Sequence, residues 1–137
     1  MVPDALKHRL AELAPGYGIR LALVFGSARS GRVHEGSDFD LALVLEDPGI
    51  DLKTFAELNH ELQKCIPDQE LDLAIINHAD PLFLQQITAD CELAHGSPRA
   101  LQNLKLYAFR RYHDHRRFLE MERAYVRRCI QELDAAQ

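Results

Sequence analysis

Two aspartates open a run that otherwise reads as a buried strand. In "DFDLALVL", residues 38 to 45, Asp38 and Asp40 flank Phe39 and lead into Leu41–Leu45. Side chains alternate along a strand, so the two acids share one face and Phe39 takes the other. Burying a charge is costly unless it is paired or bound to a metal. Two carboxylates held that close also repel, which raises one pKa unless a cation lies between them. Any fold for this chain must therefore place one end of that strand at a polar, cation-accepting site.

Thirteen residues earlier another apolar run, Ile19–Phe25, predicts a second buried strand, and Gly26-Ser27 follows it. Residues 26–36 hold three glycines and two serines and read as a turn with one further helical turn. A glycine turn after a strand lets backbone N–H groups approach a phosphate, and the Ser27 hydroxyl adds a donor. Arg29 and Arg32 in the same loop can offset triphosphate charge. The loop is not a Walker A motif, because it lacks the Gly-Lys-Ser/Thr ending. On its own, Gly-Ser is an ordinary turn pair.

A third acid, Asp72, interrupts "LDLAII", residues 71–76, which predicts a third strand. If that strand pairs beside the first carboxylate strand, Asp38, Asp40 and Asp72 form a three-acid cluster. Such hard oxygen ligands suit Mg²⁺, which commonly takes one or two carboxylates plus substrate phosphates. Three carboxylates around two metal ions match two-metal phosphoryl or nucleotidyl transfer. A lone Asp38 would read as a solvated strand-end acid; three acids on two strands do not.

The remaining pattern alternates helices and strands. Residues 4–14 carry Leu6, Leu10 and Leu13 at helical spacing, with Pro15-Gly16 as the expected stop. Leu52, Phe55, Leu58 and Leu62 make an amphipathic stripe over 52–66. Pro81–Ala89 begins with proline and reads as a helix, and Glu92–His95 as a short edge strand. No Gly or Pro occurs from Arg99 to Ala135, which predicts one long helix or two joined at a kink. The expected fold class is α/β (α+β): a small mixed β-sheet flanked by helices, with a long C-terminal helical segment. One domain is expected over 1–137, with a core at about 1–96 and the helical segment at about 98–136.

Composition narrows the function. The net charge is −5, but residues 1–98 carry 7 Lys and Arg against 16 Asp and Glu, while 99–137 carry 9 against 5. An acidic body argues against direct nucleic-acid binding. No apolar run approaches the roughly 18 residues of a membrane span, so no membrane partner is expected. Met1-Val2-Pro3-Asp4 has neither the basic nor the apolar region of a signal peptide, and the cytoplasm is the expected compartment. Cys65, Cys91 and Cys129 lack the spacing of a zinc knuckle or disulfide framework. His113-Asp114-His115 puts its two rings on different helix faces, unlike HExxH.

Taken together, Gly26-Ser27, ten intervening residues and Asp38-Phe39-Asp40 resemble the signature of the DNA polymerase β-like nucleotidyltransferases, and Asp72 stands at the family's third carboxylate. Residues 19–76 are most similar to the minimal nucleotidyltransferases (MNT). "YAFRRYHDHRRFLEMERAY" resembles the terminal helix of MNT proteins encoded beside HEPN-domain toxins. The resemblance implies an antitoxin that transfers AMP from ATP to a tyrosine hydroxyl of a HEPN ribonuclease toxin. It implies that Gly26 and Ser27 hold the triphosphate and that Arg29 contacts phosphate. Asp38 and Asp40 would bind two Mg²⁺ ions, and Asp72 would ligate the catalytic ion and help deprotonate the acceptor. The implied partners are ATP and the toxin, in a hetero-oligomer. Leu101, Leu104, Tyr107, Phe118, Tyr125 and Ile130 of the long helix exceed what a small core covers, so part of that helix is expected to pack on a partner; packing within the monomer is the alternative. The chain does not resemble the toxin itself: Arg110 and His115 fit the HEPN opening, but Arg117 stands where its tyrosine belongs. Two alternatives remain: an aminoglycoside-type nucleotidyltransferase, and an antitoxin that acts by binding alone.

Overall fold

The structure, a computed structural model, describes residues 2–26 and 38–136. Helix α1 (Asp4–Tyr17) buries Leu6, Leu10 and Ala14, one residue per turn on one side. It runs past the expected stop at Pro15-Gly16. Proline near a helix end loses one hydrogen bond but keeps a helical φ. The helix stops instead at Gly18, whose left-handed φ of 67° lets its N–H reach the Ala14 carbonyl.

Strand β1 (Ile19–Phe25) follows at once and pairs antiparallel with β2 (Phe39–Leu45), matching Leu23 to Ala42 and Phe25 to Asp40. Strand β3 (Leu71–Ile75) joins β2 in parallel, with Asp40 opposite Asp72 and Leu43 opposite Ile75. Strand β4 (Cys91–His95) closes the other edge antiparallel to β1, with Cys91 opposite Phe25. The sheet order is β3-β2-β1-β4, the small mixed sheet expected for an α/β (α+β) chain.

Alternation divides the sheet into two faces. Ala22, Val24, Phe39, Leu41, Leu43, Leu45, Leu71 and Leu73 pack on one side against α1 and the helix α2 (Leu52–Gln63), through Leu6, Leu10, Leu58 and Leu62. Leu23 and Ala42 pack on the other against α3 (Pro81–Ala89) and α4 (Pro98–Ala135), through Leu84, Ile87 and Ala108. The strands therefore have apolar residues on both faces, which is why their runs look continuous in sequence.

The three later helices share one start signal. Asp51, Asp80 and Ser97 each accept a hydrogen bond from the backbone N–H three residues on, at 2.8–3.0 Å. Leu52, assigned to the buried stripe from sequence, is 83% exposed. It occupies the first position of α2, before the helix reaches the sheet, and Phe55, Leu58 and Leu62 make the contact. The C-terminal segment is one continuous helix of 38 residues.

Two amides hold the sheet ends in place. Gln63 donates to the carbonyls of Ile66 and Gln69 at 2.8 Å and accepts from the Leu71 N–H at 2.7 Å. This ties the turn after α2 to the first residue of β3. At the far end Asn77 exchanges two hydrogen bonds with Leu45, at 2.9 and 2.7 Å, as another strand residue would.

Candidate active site

The acids meet at one end of the sheet because β2 and β3 both begin there. The Phe39 N–H donates to the Glu70 carbonyl at 2.8 Å, and the parallel register then sets Asp40 beside Asp72. Phe39 is buried against the α1/α2 core, so its neighbour Asp40 points to the α3/α4 side. Asp38 lies just before the strand. The condition set by the sequence, adjacency of the two acid-bearing strands, is met.

Asp40 is half-buried, whereas Asp72 and Asp38 are exposed. Burial pushes the Asp40 carboxyl above the ordinary carboxylate value, and the negative charges of Asp72 and Asp38 act in the same direction. Asp72 stands opposite Asp40 in the parallel register. Like charges held side by side oppose one another, and a divalent cation between them relieves that repulsion. Among the described residues no three His, Cys, Asp or Glu side chains are grouped closely enough to hold a metal ion by themselves. The donor set fits Mg²⁺ in its usual form, a few carboxylate oxygens with the other positions left to phosphate and water.

Gly26 has a role beyond the one read from its sequence. Its φ is 67°, a conformation that other residues adopt only at a cost. A Cβ added there would overlap Asp40 Oδ2 and lie 3.2 Å from Asp40 Cγ. The Asp40 carboxylate thus rests against the space a side chain would fill. Ser27, Arg29 and Arg32 lie outside the described residues.

One neighbour of the acids was not singled out from sequence. Phe25 sits across from Asp40 in the β1–β2 register, and its ring meets Phe83 of α3 edge-on, centroids 6.2 Å apart. Alternation along β1 would have put Phe25 on the α3/α4 side, but no local signal brings Phe83 to it. The support of β3 by Gln63 was equally silent in the sequence, because it depends on how the 64–70 turn folds back. A hollow of about 470 Å³ lies at the opposite end of β1, lined by Arg20, Leu21, Val44, Ser97, Asn103 and Tyr107. It contains none of the three acids. The three cysteines are free thiols. Among the described residues no helix is long and apolar enough to cross a membrane.

Solved structures share this architecture. One is a chain from the crystal structure of a toxin–antitoxin with AMP-PNP, 20% identical, with a TM-score of 0.67, covering 91% of this chain and 98% of that one. Another comes from the tri-AMPylated Shewanella oneidensis HEPN toxin in complex with MNT antitoxin: 17% identity, TM-score 0.62, 95% of this chain and 99% of that one. A third, from the crystal structure of the toxin–antitoxin MntA-HepT, is 18% identical with a TM-score of 0.60, covering 92% of this chain and 97% of that one. At these identities the likeness establishes the fold. Comparison with curated protein sequences gives no match. The family model for "Polymerase beta, Nucleotidyltransferase" matches residues 8–96, about two thirds of the chain and all four strands. The chain belongs to the polymerase beta nucleotidyltransferase family.

Proposed function

We infer that this nucleotidyltransferase is an antitoxin that transfers AMP from ATP to a tyrosine hydroxyl of a HEPN-type ribonuclease toxin, in the cytoplasm and with Mg²⁺. The observation that carries the reading is the placing of Asp40 beside Asp72 by the β2–β3 register, with Asp38 adding its charge and Gly26 packed against the Asp40 carboxylate. The fold neighbours in toxin–antitoxin complexes, one of them tri-AMPylated, support the choice of acceptor.

In this reaction the acceptor oxygen attacks the α-phosphorus of ATP. The bond to the bridging oxygen breaks, pyrophosphate leaves, and the hydroxyl proton is released. Asp38, Asp40 and Asp72 would hold two Mg²⁺ ions, which when bound lower the charge on the phosphates and acidify the hydroxyl. Asp72 is the most exposed of the acids on the strands and is the group assigned to the acceptor side, where its carboxylate receives the proton. Asp40 fixes the centre of the row, and its partial burial keeps it from swinging into solvent. Gly26 and Ser27 would bind the triphosphate through backbone and hydroxyl donors, and Arg29 would offset its charge.

The test uses ATP radiolabelled at the α-phosphate and the protein encoded beside this chain. Label is expected on a tyrosine of that protein, and the Asp38→Asn, Asp40→Asn double variant should abolish it. Undiminished labelling by the double variant would overturn the mechanism. Label on an aminoglycoside and none on protein would move the acceptor to small molecules. Toxin neutralisation by the double variant in cells would favour an antitoxin that works by binding.

A further inference from the structure

The hollow at the far end of β1 is built by two irregularities of the chain. β1 and β2 pair Ile19 with Leu45 but Leu21 with Val44, so Arg20 is an extra residue, a β-bulge. Adjacent residues of a regular strand point to opposite faces, yet Arg20 and Leu21 both line the hollow. A bulge re-aims side chains in this way, and bulges gather beside functional sites. Gly96, at φ 106°, is the second irregularity. A Cβ there would stand 2.6 Å from the Arg20 carbonyl oxygen and 2.6 Å from Leu21 Cδ2. Glycine lets the turn into α4 press on the bulge, which brings Ser97 and the first turns of α4 to the hollow.

The lining combines apolar surface with hydrogen-bond donors. Leu21 is buried, and Val44 and Leu104 continue the second core. Ser97 Oγ already accepts from the Ala100 N–H at 3.0 Å, so its hydroxyl proton is left to donate. Tyr107 Oη accepts from Arg111 Nη1 at 3.4 Å, with the guanidinium 5.6 Å from the centre of its ring, and its proton is likewise left to donate. Arg20 can only donate, and among the described residues no acid pairs with it. Asn103 adds an amide. No acid stands among the described lining residues, in a body where residues 1–98 carry 16 Asp and Glu against 7 Lys and Arg.

We propose that this hollow is a second binding site, for a small organic anion with an apolar ring body and a carboxylate or phosphate head. Its volume of about 470 Å³ lies in the range of small-molecule pockets. The ring packs on Leu21, Val44 and Leu104 and takes their apolar surface out of water. The head meets Arg20 in a charge-assisted hydrogen bond, with the two hydroxyls as further donors. A cation would meet no carboxylate, and an uncharged ring would leave the guanidinium without a partner. The site is separate from the acids. Arg20 is five residues from Phe25, which stands opposite Asp40, and that is roughly 16 Å of strand. It therefore does not rest on the proposed function.

The test is a titration of the full, metal-free chain with naphthoate, naphthyl phosphate and the uncharged naphthalenemethanol, followed by two-dimensional amide NMR spectra. At least one anion should move the amide signals of Arg20, Leu21, Val44, Ser97 and Asn103, with a Kd of about 1 mM or tighter. The alcohol should bind at least tenfold more weakly, and the tighter of the two anions tells carboxylate from phosphate. Arg20→Gln should weaken the anion at least tenfold and leave the alcohol unchanged. Ala100→Phe, which fills the hollow from α4, should abolish both. Arg20 is exposed, so its variant keeps the test valid even if Ala100→Phe does not fold, and circular dichroism checks both. The proposal is overturned if neither anion moves these signals, if the alcohol binds as tightly, or if Arg20→Gln binds like the parent. Shifts confined to Gly26, Asp38 and Asp40 would place the anion at the acids, and shifts confined to residues 113–135 on the exposed end of α4; either result overturns it as well.

Discussion

Replacing Gly26 by alanine isolates the contact on which the site depends. A left-handed φ costs a residue with a Cβ about 1–2 kcal/mol, and the Gly26 φ is 67°. The added methyl would also overlap Asp40 Oδ2, so the carboxylate must rotate or the turn must open. We expect a total destabilisation of roughly 1–3 kcal/mol, seen as a melting temperature lower by about 4–10 °C for a chain of this size. The effect on chemistry should be larger in proportion. A displacement of about 1 Å in a catalytic group can cost on the order of 100-fold in rate, and Asp40 is the group that moves. Gly16→Ala is the control: nothing lies within 4 Å of a Cβ added there, and Gly16 sits inside α1. That substitution should stabilise the fold by about 0.5–1 kcal/mol and leave transfer unchanged. Thermal melts with single-turnover assays of AMP transfer separate the two effects. A Gly26→Ala variant that melts lower but transfers at the parent rate would refute the claim that glycine makes room for the Asp40 carboxylate.

Other consequences can be measured directly. Burial and the neighbouring acids raise the Asp40 pKa in the fold, so the folded chain holds that proton more tightly than the unfolded chain. The stability from this group is therefore present below the ordinary carboxylate pKa and lost as pH rises through the raised value. Urea titrations of the metal-free chain should show that decline, and Asp40→Asn should remove its share. Mg²⁺ with a non-hydrolysable ATP analogue should raise the melting temperature of the parent but not of Asp40→Asn; equal shifts would remove Asp40 from the ligand set. Gln63→Ala deletes three partly buried hydrogen bonds at the start of β3, and a loss of about 2–3 kcal/mol is expected by urea unfolding. A loss below about 0.5 kcal/mol would mean that water replaces the amide.

The strands and the acids were legible in the sequence because both are local patterns. Alternation alone put Asp40 opposite in direction to Phe39, and the apolar runs marked β1, β2 and β3 to within a residue or so. The partner of Asp40 was not legible in the same way. Asp72 lies 32 residues away, and its position depends on a parallel pairing that no short-range signal specifies. The helix errors have simple causes. Pro15 looked like a terminator, but the stop required the left-handed residue Gly18. Leu52 fitted the apolar spacing, but the first turn of α2 has not yet reached the sheet. The Phe25–Phe83 contact joins two elements separated by most of the fold, and only the packed sheet reveals it.

The pairing of Asp40 with Asp72 has a consequence for folding errors. In β3 the acid is flanked by Leu71 and Leu73, both buried in the α1/α2 core. Sliding the strand by one residue would turn both leucines outward and drive the carboxylate inward. A chain with a misaligned site would therefore also have a ruptured interior and be unable to persist as a folded, inactive species. The hydrophobic core acts as a proofreader for the acids of the candidate site: chains that survive folding are those whose acids are already in line.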